Sequence, residues 1–431
     1  MRFLRSLCAL CASAALCACA SNALQGPAPT PPPSDSPIKH VVIIIQENRS
    51  VDNLFNGFPG ADTVTRGQTH TGAFVNLRPI SLANSNRPCH SHLCWVQEYD
   101  NGRNDGFDLE NPPGTRPDFD YAFVPQSETK PYWAMAQTYA FADRMFQSNT
   151  GPSYPAHQYL IAGQSDFAAE NPDDFGRGIW GCDAPPRTTV AVLGSDGQEH
   201  PGPYPCYSYQ TLADEMDAAG ITWHYYAPAF GADLGYTWSA YDAISQIRRG
   251  KDWTLDVISP ETQVLSDIAA GQLSAVTWVV PKDQNSDHAG SQSTMGPQWV
   301  ASVVNAVGNS SYWNNTAILI MWDDWGGWYD HLNGPQLDLM GLGFRVPLIV
   351  VSPYTKAGYV SHVQHEFGSI MRFTEERFGL SPLTQVDGRA DDLADMFDFT
   401  KPPRAFVPIP TTLAPSFFEL QPQSSEPPDE Y

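Results

Sequence analysis

The chain has 431 residues, 42% hydrophobic and 12% aromatic, with a formal net charge of −23. These are values of a globular chain long enough for one large domain or two ordinary ones, so disorder is excluded. So acidic a balance repels nucleic acid and anionic lipid at long range, which argues against a nucleic-acid partner.

The first twenty residues, MRFLRSLCALCASAALCACA, place two arginines before an apolar run and then small residues. This is the pattern of an export signal, and the run is too short for an ordinary membrane span. Two cleavages fit. LCAC resembles a lipoprotein box, which would leave Cys19 as a lipidated N-terminus and membrane anchor; ACA before Ser21 suits ordinary signal peptidase and a secreted product. The lipoprotein form is preferred, because residues 21–37, with GPAPTPPPSDSP, read as an extended proline-rich tether. Residues 38–415 are expected to form a single folded domain, and residues 416–431 a flexible tail.

Within the body, VVIII (41–45), AVTWVV (275–280), TAILIMW (316–322) and VPLIVVS (346–352) are continuous apolar runs. Continuous rather than alternating apolar character predicts strands covered on both faces, hence a mostly parallel sheet. Helices are predicted over 208–220, 296–310 and 366–379, the first and third closing on a glycine. The fold class is α/β, with helices on each side of the sheet. Residues 56–125 and 165–207 are dense in Gly, Pro, Asn and Asp and read as long loops over the carboxyl rim of that sheet. Four cysteines lie in the leader, leaving Cys89, Cys94, Cys182 and Cys206. Local pairing gives Cys89–Cys94 and Cys182–Cys206, one of three connectivities open to four cysteines.

Ligands of open α/β sheets bind beyond the carboxyl ends of the strands. There the first apolar run meets Glu47 and Asn48, and the third meets Asp323 and Asp324, with Asp330 and His331 a turn later. The second is followed by Asp287 and His288. Adjacent carboxylates repel unless something positive lies between them, and an oxygen-rich set suits a divalent metal cation. Ser153 stands between prolines in TGPSYPAH, before a helix-like stretch, and is the candidate nucleophile; Thr150 is a weaker one. His92, with His90 as its rival, lies beside the first cysteine pair. Together with His288 and His331 it suits an anionic substrate and proton transfer.

Taken together, QENRSVDNLF, YDNGRNDGF, TGPSYPAHQYLIAG, DHAG, WDDWGGWYDH and GLGFRVPLIVVSPYTKAGYVSH, spread from His40 to Phe399, resemble a bacterial phosphoesterase family. That family contains non-haemolytic-type phospholipases C and acid phosphatases and sits in the alkaline phosphatase superfamily. The resemblance implies a three-layer α/β/α fold and metal-dependent hydrolysis of phosphate esters through a phosphoserine. Glu47, Asn48, Asp323, Asp324 and Ser153 would hold the cation. Asn48, His92, His288 and His331 would meet the substrate, with Ser153 as nucleophile and the histidines in catalysis. A phosphomonoester is the first choice of substrate, the acid phosphatases being nearer in carrying Asp-Asp where relatives often have Asp-Glu. A phospholipid, cleaved as by phospholipase C, is the alternative. The chain departs from the family at Val51, where Phe is frequent, and at Ala156 and His157, where relatives often carry Asn-Arg. SYPAH is also similar to the Ser-x-Pro-x-Arg turn of sulfatases, again without the arginine. The reading from another class is a non-catalytic surface lipoprotein that binds an anion; the combined nucleophile, carboxylates and histidines argue against it.

Overall fold

HVVIIIQ is β-branched along nearly its whole length and forms strand β1 (His40–Gln46), in which Val41 to Ile45 are fully buried. Each such side chain stabilises the fold by roughly 1.5–3 kcal/mol relative to an exposed one. The computed structural model describes residues 36–174, 176–230 and 236–422. The leader, the box at Cys19 and nearly all of the tether lie outside the described residues.

The other strands of the central sheet are β2 (Ala140–Phe146), β3 (Trp223–Tyr226), β4 (Val257–Ile258), β5 (Val276–Val279), β6 (Thr316–Trp322), β7 (Arg345–Val351), β8 (Tyr359–Ser361) and β9 (His365–Glu366). Their order in space is β4-β3-β5-β1-β6-β7-β2-β8, with β9 also on β2. All neighbours are parallel except the two pairs made by β7. The sheet is therefore mostly parallel, as expected. Because β7 runs against its neighbours, its first residue, Arg345, stands opposite Phe146 at the end of β2. The carboxyl rim thus also receives the amino end of one strand.

Strands β1, β6 and β7 are buried at nearly every position, so both faces are covered. Helix α6 (Phe367–Phe378) packs on α3 (Ser153–Ala162), while α5 (Gly296–Gly308) packs on α2 (Lys130–Thr138). Helix α4 (Leu212–Ala219) starts later than its apolar spacing suggests, because Thr211 and Asp214 form a capping box there, and Gly220 closes it at φ 68°. Strands β2 and β3 were not visible as apolar runs: Asp143 and Arg144 interrupt the first, and the second reads WHYY.

The loop segments are more structured than expected. Helix α1 (His92–Tyr99) begins at an N-cap, Ser91, and two small hairpins pair Arg66–Gln68 with Phe74–Asn76 and Ala191–Leu193 with Glu199–Pro201. Both disulfides are the local ones, Cys89–Cys94 and Cys182–Cys206. Trp95, Phe107, Tyr121, Trp325, Tyr329 and Phe344 make a second apolar cluster, which clamps the loop after β6 to α1. The segment expected to be a flexible tail begins instead as a docked helix, Pro415–Glu419. Phe418 is buried against Trp299, ring centroids 5.4 Å apart, and Lys282 Nζ donates to the carbonyls of Gln421 and Pro422. Burial of that aromatic outweighs the polar composition around it. Among the described residues no helix is long and apolar enough to cross a membrane.

Candidate active site

Strands β1 and β6 end level with one another, Gln46 opposite Trp322. The next residue of each is a carboxylate, and Asp323 N donates to Gln46 O at 2.9 Å. Asn48 turns the chain with φ 60°, a region that Asn tolerates better than most residues. Its backbone N–H donates to Asp323 Oδ1 and its side-chain Nδ2 to Asp324 Oδ1, both at 2.9 Å. Gly326 N donates to the same Asp324 oxygen at 2.7 Å. Glycine is required there: φ is +64°, and a Cβ would stand 2.3 Å from Asn48 O.

The turn that carries Ser153 leaves the end of β2. Gln147 Nε2 and Asn149 Nδ2 both donate to Gly151 O at 3.1 Å, which fixes the turn. Gly151 runs so close to Ala169 that a Cβ would lie 2.1 Å from its carbonyl oxygen. Ser153 then opens α3, a helix buried along its whole length. Its Oγ donates to Asp324 Oδ2 at 3.3 Å and Glu47 Oε2 at 3.4 Å. One turn on, His157 Nε2 lies 3.0 Å from Glu47 Oε1 and 3.7 Å from Asp323 Oδ2. Burial pushes the His157 imidazole down to about 4, against the opposing charge of Asp323. Ser153 and the four expected cation ligands therefore meet at one place, at the ends of β1 and β6 and the start of α3.

Glu47, Asn48, Ser153, Asp323 and Asp324 are fully buried. Asn48 Oδ1 and Asp323 Oδ2 have no hydrogen-bond partner among the described residues. Three buried carboxylates facing one another are costly without a compensating positive charge. Single ligand atoms of Glu47, His157 and Asp323 lie within 4.8 Å of one another. This donor set fits a divalent cation.

The guanidinium of Arg49, so near the carboxylates in sequence, is spent elsewhere. It donates to Asp287 O at 2.9 Å and Asn53 Oδ1 at 3.2 Å, and lies over the Trp328 ring. Asp287 Oδ2 in turn accepts from Tyr132 at 2.7 Å and Trp322 at 3.2 Å. Burial raises the Asp287 carboxyl to about 6, with Tyr132, Arg49 and Trp322 opposing it. Arg49 and Asp287 thus tie the loop of His288 to the rim, where Glu47 N also donates to Ser286 O at 2.9 Å. His288 stacks on Trp238 at 5.4 Å and meets the edge of His90 at 6.0 Å. His92 Nδ1 bonds to the carbonyl and hydroxyl of Thr150 at 3.1 and 3.0 Å, so Thr150 supports that histidine, three residues before Ser153. Burial holds the His92 imidazole below its ordinary value.

His331 lies in a network of ion pairs. Its Nδ1 lies 2.6 Å from Asp52 Oδ2 and 3.2 Å from Arg345 Nη2, and its Nε2 lies 3.3 Å from Asp62 Oδ1. Both ring nitrogens are engaged in an ion-pair network with Asp52, Asp62, Asp330 and Arg345, apart from the Ser153 cluster. Only the tertiary fold pairs His331 with Asp52, in the first turn of the short helix Val51–Leu54 that follows β1. Burial disfavours the imidazolium, but the hydrogen bond and charge of Asp52 and the charge of Asp330 outweigh it and raise the pKa. A raised folded-state pKa stabilises fully below the unfolded value and is lost as pH rises through the folded one. His331→Gln is therefore expected to lower Tm at pH 6, with the gap to the unsubstituted protein closing toward pH 9 in a thermal-melt series.

His157 is the member that sequence reasoning missed. It stood out only as an absent arginine, yet it lies four residues after Ser153, on the same face of a helix.

The model of the Phosphoesterase family matches residues 38–381, and the chain belongs to that family. It is 25% identical to the non-hemolytic phospholipase C of Pseudomonas aeruginosa over 85% of this chain and 58% of that protein. It is 24% identical to phospholipase C B of Mycobacterium tuberculosis, over 86% of this chain and 80% of that one. Non-specific phospholipase C6 of Arabidopsis thaliana is 23% identical over 87% and 75%. The chain thus spans little more than half the length of the Pseudomonas relative. Among solved structures, a protein in the alkaline phosphatase superfamily from Vibrio parahaemolyticus aligns over 87% of this chain and 73% of its own. Its identity is 10% and the TM-score 0.41.

Proposed function

We propose that this protein hydrolyses phosphate esters in two steps, with Ser153 as the nucleophile. The observation that carries the reading is the Ser153 hydroxyl held between the Glu47 and Asp324 carboxylates at 3.4 and 3.3 Å, at the start of a buried helix. Glu47, Asn48, Asp323 and Asp324 would hold a divalent cation, which would supply Lewis acidity and the positive charge that these carboxylates call for. Ser153 Oγ attacks phosphorus as its proton passes to a neighbouring carboxylate, and the bond from phosphorus to the leaving oxygen breaks. The N-terminal end of α3 faces the charge that develops on the phosphoryl oxygens. His288, fixed through Ser286 and Asp287, is the candidate to protonate the leaving alcohol, and His92 to hold the phosphoryl group. Water then attacks the phosphoserine and releases the phosphate product. His331 takes no proton-transfer role in this scheme; it positions the rim.

Phosphomonoesters are the first substrate class. Phospholipids are the second, favoured by the phospholipase C relatives and by Leu93 and Val96, which helix α1 exposes at 58% and 46% beside buried His92. Export is supported by the two disulfides, which persist in oxidising compartments. Attachment through Cys19 is what the leader pattern implies. The test is p-nitrophenyl phosphate and phosphatidylcholine assayed in parallel, with and without EDTA. Hydrolysis of at least one is expected, falling more than about 100-fold on chelation. Turnover of neither substrate, or full turnover in EDTA, refutes the reading.

A further inference from the structure

His157 is 2% exposed, and its Nε2 is aimed at two carboxylates that follow the ends of two different strands. Its other ring nitrogen, Nδ1, has no hydrogen-bond partner among the described residues. His157 Nε2 lies 3.0 Å from Glu47 Oε1 and 3.7 Å from Asp323 Oδ2, inside the span of about 4.4 Å that bonds of 2.0–2.2 Å to one ion allow. Glu47 uses its two oxygens separately, Oε1 toward His157 and Oε2 toward Ser153.

We propose that His157 Nε2 is a ligand of the cation, so that the site is a mixed nitrogen and oxygen set that selects zinc-like transition metals over magnesium and calcium. The physical reason is ligand chemistry. Carboxylates alone suit hard cations such as Mg²⁺, whereas an imidazole raises affinity for borderline ions such as Zn²⁺ far more than for Mg²⁺. Helix α3 supplies both the hydroxyl and the imidazole, one turn apart, so cation and nucleophile share one rigid support. The inference rests on the cation site of the proposed function but not on turnover.

The test is calorimetric titration of the EDTA-stripped whole chain with Zn²⁺ and with Mg²⁺, for the unsubstituted protein, His157→Gln and His157→Asn. Each variant is first checked for an unchanged circular dichroism spectrum without metal. Zn²⁺ affinity is expected to fall on the order of 100-fold in the substituted proteins while Mg²⁺ affinity changes little. Zn²⁺ affinity within threefold of the unsubstituted protein overturns the proposal and leaves His157 as a hydrogen-bond partner of Glu47. Should neither variant fold, zinc-edge X-ray absorption on the unsubstituted chain decides: an imidazole in the coordination shell supports the proposal, and an all-oxygen shell overturns it. If the metal binds as expected but no phosphate ester is turned over, the proposed function fails and this inference stands.

Discussion

Ser153→Ala is expected to lower kcat for p-nitrophenyl phosphate by about 10⁴-fold or more, with Tm nearly unchanged. The substitution removes one oxygen, whose hydrogen bonds are the long ones to Glu47 and Asp324 at 3.4 and 3.3 Å. Alanine is a strong helix former, and position 153 opens α3, so the helix itself loses little. Chemistry should suffer alone, because no other hydroxyl stands between those two carboxylates among the described contacts; that of Thr150 is bonded to His92. Intact-mass spectrometry of acid-quenched reactions should show a phosphate adduct on the unsubstituted protein and none on the variant. Turnover within tenfold of the unsubstituted protein would remove Ser153 from the mechanism.

Arg345→Met is expected to be the most damaging single change to stability, costing about 3–5 kcal/mol. Arg345 is fully buried at the amino end of β7. Its Nε donates to Asp330 Oδ1 at 2.7 Å, Nη2 lies 3.5 Å from Asp52 Oδ2, and Nη1 donates to the carbonyls of Asp62 and Asp143 at 2.9 Å. Methionine fills much of the volume but leaves two buried carboxylates facing each other and two carbonyls unpaired. A Tm loss on the order of 10 °C is expected. The double variant Arg345→Met, Asp330→Asn should recover part of it, because neutralising Asp330 removes the uncompensated charge. A single-variant cost below about 1 kcal/mol would show that the network is not what holds the rim.

What the sequence carried well was whatever depends on local pattern. The apolar runs in β1, β5, β6 and β7 announce doubly covered strands, and their ends announce Glu47, Asn48, Asp323 and Asp324. The two disulfides join cysteines only 5 and 24 residues apart. Strand β2 was hidden because Asp143 and Arg144 lie inside it. Both are held by partners remote in sequence: Asp143 accepts from Asp62 N at 2.6 Å, and Arg144 pairs with Asp62 at 3.1 Å.

The sequence by itself determined the α/β class and singled out Ser153 and the carboxylates that surround it, since each sits at a strand end or helix start whose signal is local. Tertiary structure decided which groups each histidine faces. An imidazole suits a metal, a proton or an ion pair equally well, and only the neighbours choose among them. Strand register brings Glu47 and Asp323 to His157, and the reversed direction of β7 brings Arg345 to Asp330 and His331. Those neighbours lie more than a hundred residues away for His157 and on another strand for His331, beyond the reach of any short-range pattern.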